Sequence, residues 1–231
     1  MAHALKLISL IRTGGSVDDL RRTLETRVEE GFPGLTRLLL NRVLPVEVRA
    51  SPGAAQEKRD AVVESWFTTQ ADLEAWKSAS VPADCCVHLS VDQRLIHDSG
   101  IRPLPAKVMV TFRRRADLSR AEAQTHWQGR HVEVGLVEHN ATDFLRLYFQ
   151  NHVVDGNAID RPEHDYDGLP EFWLDQEALA QVGAESPVMK AIAEDEANFI
   201  DRNSIVTLLL DEEELFSRDA ATSGWPPIQA P

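Results

Sequence analysis

The feature that most constrains this chain is that it repeats itself. The run Lys6–Arg12 has a counterpart in Lys107–Arg113, and each reads as a strand leading through a turn into a helical pattern. Leu35–Val43 parallels Leu145–Val153, with Asn41 falling on Asn151. Asp60–Phe67 parallels Asp167–Leu174, which sets Glu64 and Trp66 against Glu171 and Trp173. Gln93–Asp98 parallels Val206–Asp211. Each copy reads β-α-β-β-α-β, the order that makes a four-stranded antiparallel sheet with two helices on one face. A sheet of this kind leaves its other face bare, and a second copy can cover it. The predicted fold is therefore α+β, two tandem ferredoxin-like halves closing an α+β barrel within one chain. The expected division is a first half over residues 1–100, a second over 101–216 and a Pro-rich tail over 217–231, with Gly100, Pro103 and Pro105 marking the junction.

Local signals agree with that plan. Ser119 and Glu122 form a capping box at the start of the second half's first helix, and Ser186 with Pro187 opens its last, which is read as running through Met189, Ile192 and Phe199. Residues 155–165 read as a polar loop, with residues 52–60 in that part in the first half. The apolar fraction of 43% is enough to build a core in each half.

Charge and cysteine usage narrow the function. A formal net charge of -13 repels phosphate backbones, so no nucleic-acid partner is expected. The two cysteines, Cys85 and Cys86, are adjacent and give no disulfide framework, which suits the reducing cytoplasm. No apolar run approaches membrane-spanning length, so no membrane partner is expected.

The two halves differ in what they place on the first helix. In the second half Trp127, His131, Gly135 and His139 recur every four residues, which puts them on one face of an α-helix. The first half has Leu20, Leu24 and Val28 near those places. A histidine facing a cavity titrates near neutral pH and can act as general acid or base, which singles out His131; the plainer reading is a hydrogen-bonded structural histidine. On the following strand Phe144, Arg146, Tyr148, Gln150 and His152 alternate with Leu145, Leu147, Phe149, Asn151 and Val153. Asn151, His152, Tyr166 and Glu171 are candidates to bind a substrate carbonyl or hydroxyl, and Trp127 and Trp173 to wall the site. His126, His131 and His139 lack metal-ligand spacing, and no metal site is expected; His164, between Glu163 and Asp165, reads as a solvated turn.

Lys107 to Glu214 resembles the EthD family of dimeric α+β barrel proteins. The likeness lies in the strand Lys107–Arg113, Leu118-Ser119-Arg120, Trp127 with His131 four residues on, Gln150-Asn151-His152, the Tyr166-Asp167-Gly168 turn before Glu171-Phe172-Trp173, and Phe199-Ile200-Asp201. One departure stands out: the family follows its helix histidine with Gly-Pro, and here Val132-Glu133 follows. The resemblance implies a cofactor-free site between helices and sheet, where His131 moves a proton at carbon next to a carbonyl. On that basis the expected activity is a lyase or isomerase, a dehydratase or cyclase, acting on a small aromatic or polyketide-like substrate. His131, Asn151 and His152 are then the catalytic set, with Trp127, His139, Tyr166, Glu171 and Trp173 binding substrate. The alternative is a non-catalytic ligand-binding or accessory protein of a catabolic pathway; haem or oxygen chemistry, known for some barrels of this architecture, is a third. One chain is expected to make one barrel, and two such barrels could pair as a homodimer.

Overall fold

In a computed structural model the described residues are 5–45, 59–80, 86–154, 156–157, 161–183 and 185–218. Cys85, most of the first loop, part of the 155–165 loop and the tail from residue 219 lie outside them.

The first half runs β1 (Leu5–Ile11), α1 (Val17–Glu29), β2 (Leu35–Val43), β3 (Ala61–Phe67), α2 (Gln70–Ser80) and β4 (Cys86–Asp98). The second runs β5 (Lys107–Thr111), α3 (Arg120–His126), β6 (Leu145–Val153), β7 (Gly168–Leu174), α4 (Gln176–Val182), α5 (Pro187–Glu196) and β8 (Val206–Ser217). Within each half the strands pair in the order expected, β4-β1-β3-β2 and β8-β5-β7-β6, and two seams, β2 with β8 and β4 with β6, close one antiparallel barrel. Neighbours alternate in direction around eight strands, so β1 and β5, four places apart, run the same way. The pseudo-twofold axis relating the halves therefore lies along the barrel axis.

Pairing registers test the repeat residue by residue. Lys6 faces Trp66 as Lys107 faces Trp173, and Asn41 faces Val62 as Asn151 faces Leu169. Three of the four blocks are thus in true register. The fourth is not: Val91 lies opposite Lys6 and Leu210 opposite Lys107, so Gln93 corresponds to Glu212, six residues beyond Val206. Side chains alternate with period two, and an even slip keeps every apolar residue on its proper face. Apolar alternation alone could not detect it.

The three largest clusters divide between the helix side and the barrel interior. In the first half Leu20, Leu24, Leu38, Leu40, Phe67, Leu73 and Trp76 pack between helices and sheet. Ile8, Leu10, Val62, Leu89, Met109, Val153, Tyr166 and Leu169 fill the lumen. In the second half Phe112, Ala123, Trp127, Phe199 and Ile200 form the corresponding helix-side cluster. The Ser119 hydroxyl accepts from the Glu122 amide and the Glu122 carboxylate from the Ser119 amide, closing the expected capping box.

Three local expectations need correction. Phe199 lies beyond α5, which ends at Glu196, and its ring packs under α3 instead of extending the helix. Helix α4, capped by Asp175, was not anticipated. His164 is buried, with Arg59 at 3.4 Å, where a solvated turn had been read.

Candidate functional site

The expected site residues divide between the two faces of the second-half sheet. Asn151, Glu171 and Trp173 point into the barrel, Tyr166 joins the lumen cluster, and Trp127, His131 and His152 lie on the helix side. Adjacent residues such as Asn151 and His152 take opposite faces of a strand. They do not converge on one substrate atom.

Inside the barrel, charges from both halves form a ring about the axis. Lys6 Nζ lies 2.6 Å from Glu64 and 2.5 Å from Glu171, and donates to Asn151 Oδ1 at 3.0 Å. Lys107 Nζ bonds Glu64 and lies 3.1 Å from Glu171 and 3.0 Å from Glu212. Asn151 donates to Glu171 at 2.6 Å as Asn41 does to Glu64 at 3.0 Å. Each ammonium also sits over its own half's tryptophan, Lys6 over Trp66 and Lys107 over Trp173. Lys6, Glu64, Lys107 and Glu171 are at most 1% exposed. Two ammoniums face three carboxyls, counting Glu212, so one bound proton makes the ring neutral. Burial would raise the Glu64 carboxyl, but Lys107 and Lys6 pull it well below its ordinary range. For Glu171 burial and the Glu64 charge prevail, and it is raised. Burial alone would lower Lys107, but Glu171, Glu64 and Glu212 raise it. Asn151 and Glu171 of the second half are thus bonded to Lys6 of the first, and Trp173 lies under Lys107 of its own half.

The helix-side site is built by an unusual helix. After α3 the backbone continues without a break as π-wound turns over Trp127–His131 and Glu133–Glu138. A π turn bonds to the fifth residue rather than the fourth, and such turns gather at functional sites. Four-residue spacing no longer stacks side chains on one face. Trp127 is buried, Gly135 lies against Ile192, and His139 falls at the C-terminal cap.

His131 Nδ1 lies 2.8 Å from Asp195 Oδ2, and His126 Nε2 lies 3.0 Å from Asp195 Oδ1. Phe199 supports both rings, stacked on His126 at 5.0 Å and edge-on to His131 at 5.1 Å. Burial would raise the Asp195 carboxyl, but the hydrogen bonds from His131 and His126 hold it at about 2. Asp195 therefore stays ionised and fixes the His131 ring by one nitrogen, while Nε2 meets no hydrogen-bond partner among the described residues. Neither Asp195 nor His126 was singled out from the sequence. Asp195 lies 64 residues from His131, on α5, and only packing of α5 against the π-wound segment brings them together.

On the sheet beneath, Trp127 Nε1 donates to the Tyr148 hydroxyl at 3.1 Å, and Gln150 Nε2 donates to it at 2.9 Å. His152 Nε2 lies 2.9 Å from Gln150 Oε1, and its ring packs on Trp127 at 4.6 Å. Burial first, then Arg94, lowers His152 to about 4, so it is neutral at ordinary pH. Burial raises the carboxyl of Glu196, which neighbours Asp195 on α5.

A separate cleft of about 710 Å³ is lined by Arg113, Arg114, Arg115, Asp165, Asp201 and neighbouring residues. Arg114 there is spent on Asp167 at 2.7 Å and Arg115 on Asp117 at 2.8 Å. Among the described residues no group of three or more His, Cys, Asp or Glu side chains is placed to hold a metal ion, and no helix is long and apolar enough to cross a membrane.

Comparison with known proteins bears on this half. Residues 115–203, within the second half, match the family model of the EthD domain. No curated protein matches the chain. Among solved structures, an anthrone oxidase-like protein is similar at TM-score 0.59 and 9% identity, covering 93% of this chain and 96% of that one. A mutant chlorite dismutase from Candidatus Nitrospira defluvii is similar at TM-score 0.53 and 10% identity, covering 91% and 92%. At such identities the likeness establishes a shared fold over nearly the whole chain.

Proposed function

We propose that this protein is a cofactor-independent lyase or isomerase that moves a proton at carbon next to a carbonyl in a small aromatic or polyketide-like molecule. The observation that carries the reading is the His131–Asp195 pair. A carboxylate at 2.8 Å from Nδ1 fixes the tautomer and stabilises the imidazolium that forms when Nε2 takes a proton. His126, on the other carboxylate oxygen, holds Asp195 in place. Acid–base help of this kind is worth about 10²–10⁴-fold, enough for an already acidified carbon. A stabilised enol or phenol is therefore the substrate class. Trp127 and Phe199 provide the apolar surroundings.

The test is turnover of phenolic and polyketide-like candidates by wild type and His131→Ala, with the fold checked by circular dichroism. Turnover should fall by about 10²–10⁴-fold with the fold intact, and Asp195→Asn should shift the pH profile of kcat/KM rather than only its height. Unchanged turnover in His131→Ala would sink the reading. Binding without turnover in wild type would favour the ligand-binding role.

A further inference from the structure

We propose that Tyr148 supplies the hydrogen bond that holds the oxyanion developing on the substrate. This rests on the proton-transfer reading above and names the group that completes it. The task was first expected of Asn151, His152 or Tyr166. The hydrogen bonds around Tyr148 leave a donor on the helix side of the sheet, whereas Asn151 and His152 have none to spare and Tyr166 lies in the lumen.

A phenol oxygen has two lone pairs and one proton. Trp127 Nε1 can only donate, and it fills one lone pair at 3.1 Å. The second contact is with Gln150, whose amide orientation is settled independently. The same nitrogen lies 3.1 Å from the Trp127 carbonyl oxygen, which can only accept. That atom is therefore the NH2 group, and it also donates, filling the second lone pair of Tyr148 at 2.9 Å. The Tyr148 O–H must point elsewhere, and no described residue accepts it. Tyr148 is 4% exposed, so bulk water does not readily serve. Its ring is stacked on Phe172 at 4.6 Å, which fixes the direction of the hydroxyl.

The same chain of logic removes His152 from the role. Gln150 Oε1 then accepts from His152 Nε2, which carries that ring's proton, and the buried Nδ1 is a bare acceptor without a partner. Asn151 is spent on Lys6, Leu169 and Glu171 within the barrel, and Tyr166 belongs to the lumen cluster.

Tyr148 and His131 lie on the same helix side of the second-half sheet: Trp127 donates to Tyr148, and Phe199, in one cluster with Trp127, packs edge-on to His131. Burial raises the phenol above its ordinary range despite the bonds from Gln150 and Trp127, so Tyr148 keeps its proton while His131 exchanges one. A neutral donor beside a base suits a substrate that becomes an enolate or phenolate.

The experiment compares 4-nitrophenolate with nitrobenzene, which has the same ring and no oxygen anion to hold. Wild type should bind the phenolate more tightly. Tyr148→Phe should weaken phenolate binding by about tenfold or more, one charge-assisted hydrogen bond, and leave nitrobenzene unchanged. With a turned-over substrate, Tyr148→Phe should lower kcat by about 10²–10³-fold at nearly constant KM. Tyr148→Phe also strands two donors, so a second measurement guards against a merely damaged fold. The chain has two tyrosines, and fluorotyrosine labelling with Tyr166→Phe for assignment isolates the residue 148 resonance. That resonance should move with phenolate and not with nitrobenzene. Equal phenolate binding by Tyr148→Phe and wild type, or an unmoved resonance, would overturn the assignment, as would a wild type that binds neither compound. Phenolate discrimination with unchanged turnover in His131→Ala would instead overturn the proton-transfer reading alone.

Discussion

The two halves share one sheet and treat its two faces differently. Facing the barrel axis they are near copies: Lys6 and Lys107, Asn41 and Asn151, Glu64 and Glu171, Trp66 and Trp173. Facing the helices they have little in common. The first half packs Leu20, Leu24, Phe67 and Trp76, with Phe32 edge-on to Trp76, while the second sets Tyr148, Gln150 and His152 around Trp127 and His131 against Phe199. The difference follows from contact. Across the axis Lys6 bonds Glu171 and Asn151 while Lys107 bonds Glu64, so a change in one half strands a buried charge in the other. The helix-side clusters are separate, so one can carry polar groups while the other is plain core.

The largest expected effect tests the shared face. Lys107→Met leaves Glu64, Glu171 and Glu212 without their common cation, and should cost about 3–5 kcal/mol in urea unfolding. Lys6→Met should cost a similar amount if the ring works as one unit. A large loss for Lys107 alone would show that the symmetry is broken where Glu212 stands in place of Gln93.

A second test sets one histidine of each half against the other. His88, 2.8 Å from Ser9, and His152 are both lowered to about 4, chiefly by burial. A histidine whose folded pKa lies below its unfolded value of about 6.5 stabilises the fold above that value, and the contribution is lost as pH falls from there towards 4. Each should contribute about 2–3 kcal/mol to the decline in stability over that window. His88→Gln and His152→Gln should each flatten the decline by a like amount; a flat response to one would show that only the other half holds its histidine dry.

The smallest effect concerns packing under the π-wound segment. A β-carbon on Gly168 would fall 2.5 Å from ring atoms of Phe112 and Trp127, which cannot move aside cheaply. Gly168→Ala should cost about 1–3 kcal/mol in thermal or urea unfolding. At Gly34 in the first half the added carbon would meet the Asp72 side chain, including its Cβ at 2.8 Å, on a backbone with φ +70°. A larger loss at Gly34 than at Gly168 would mean that backbone conformation adds to the steric penalty.

The fold was legible where polar landmarks punctuated the apolar pattern. Lysine, asparagine, glutamate and tryptophan recur at positions that pair identically in both halves, and they pinned three blocks. The last strand had only apolar alternation to offer, and the Gln93–Val206 alignment slipped by six. Of the proposed site, His131 and Trp127 stood out from spacing, yet the α-helical face that suggested them is not the one present, because the backbone there is π-wound.

By itself the sequence determined the two-half α+β architecture and the equivalent polar positions of the two halves, because strand periodicity and repeated polar residues are local, one-dimensional signals. Only the tertiary structure decided which side of the sheet each polar residue serves, that Asp195 of α5 reaches His131 and His126, and that the Tyr148 proton has no partner among the described residues. Those facts depend on helix winding and on contacts between segments distant in the chain, and each is an angle or a distance that no single residue type specifies.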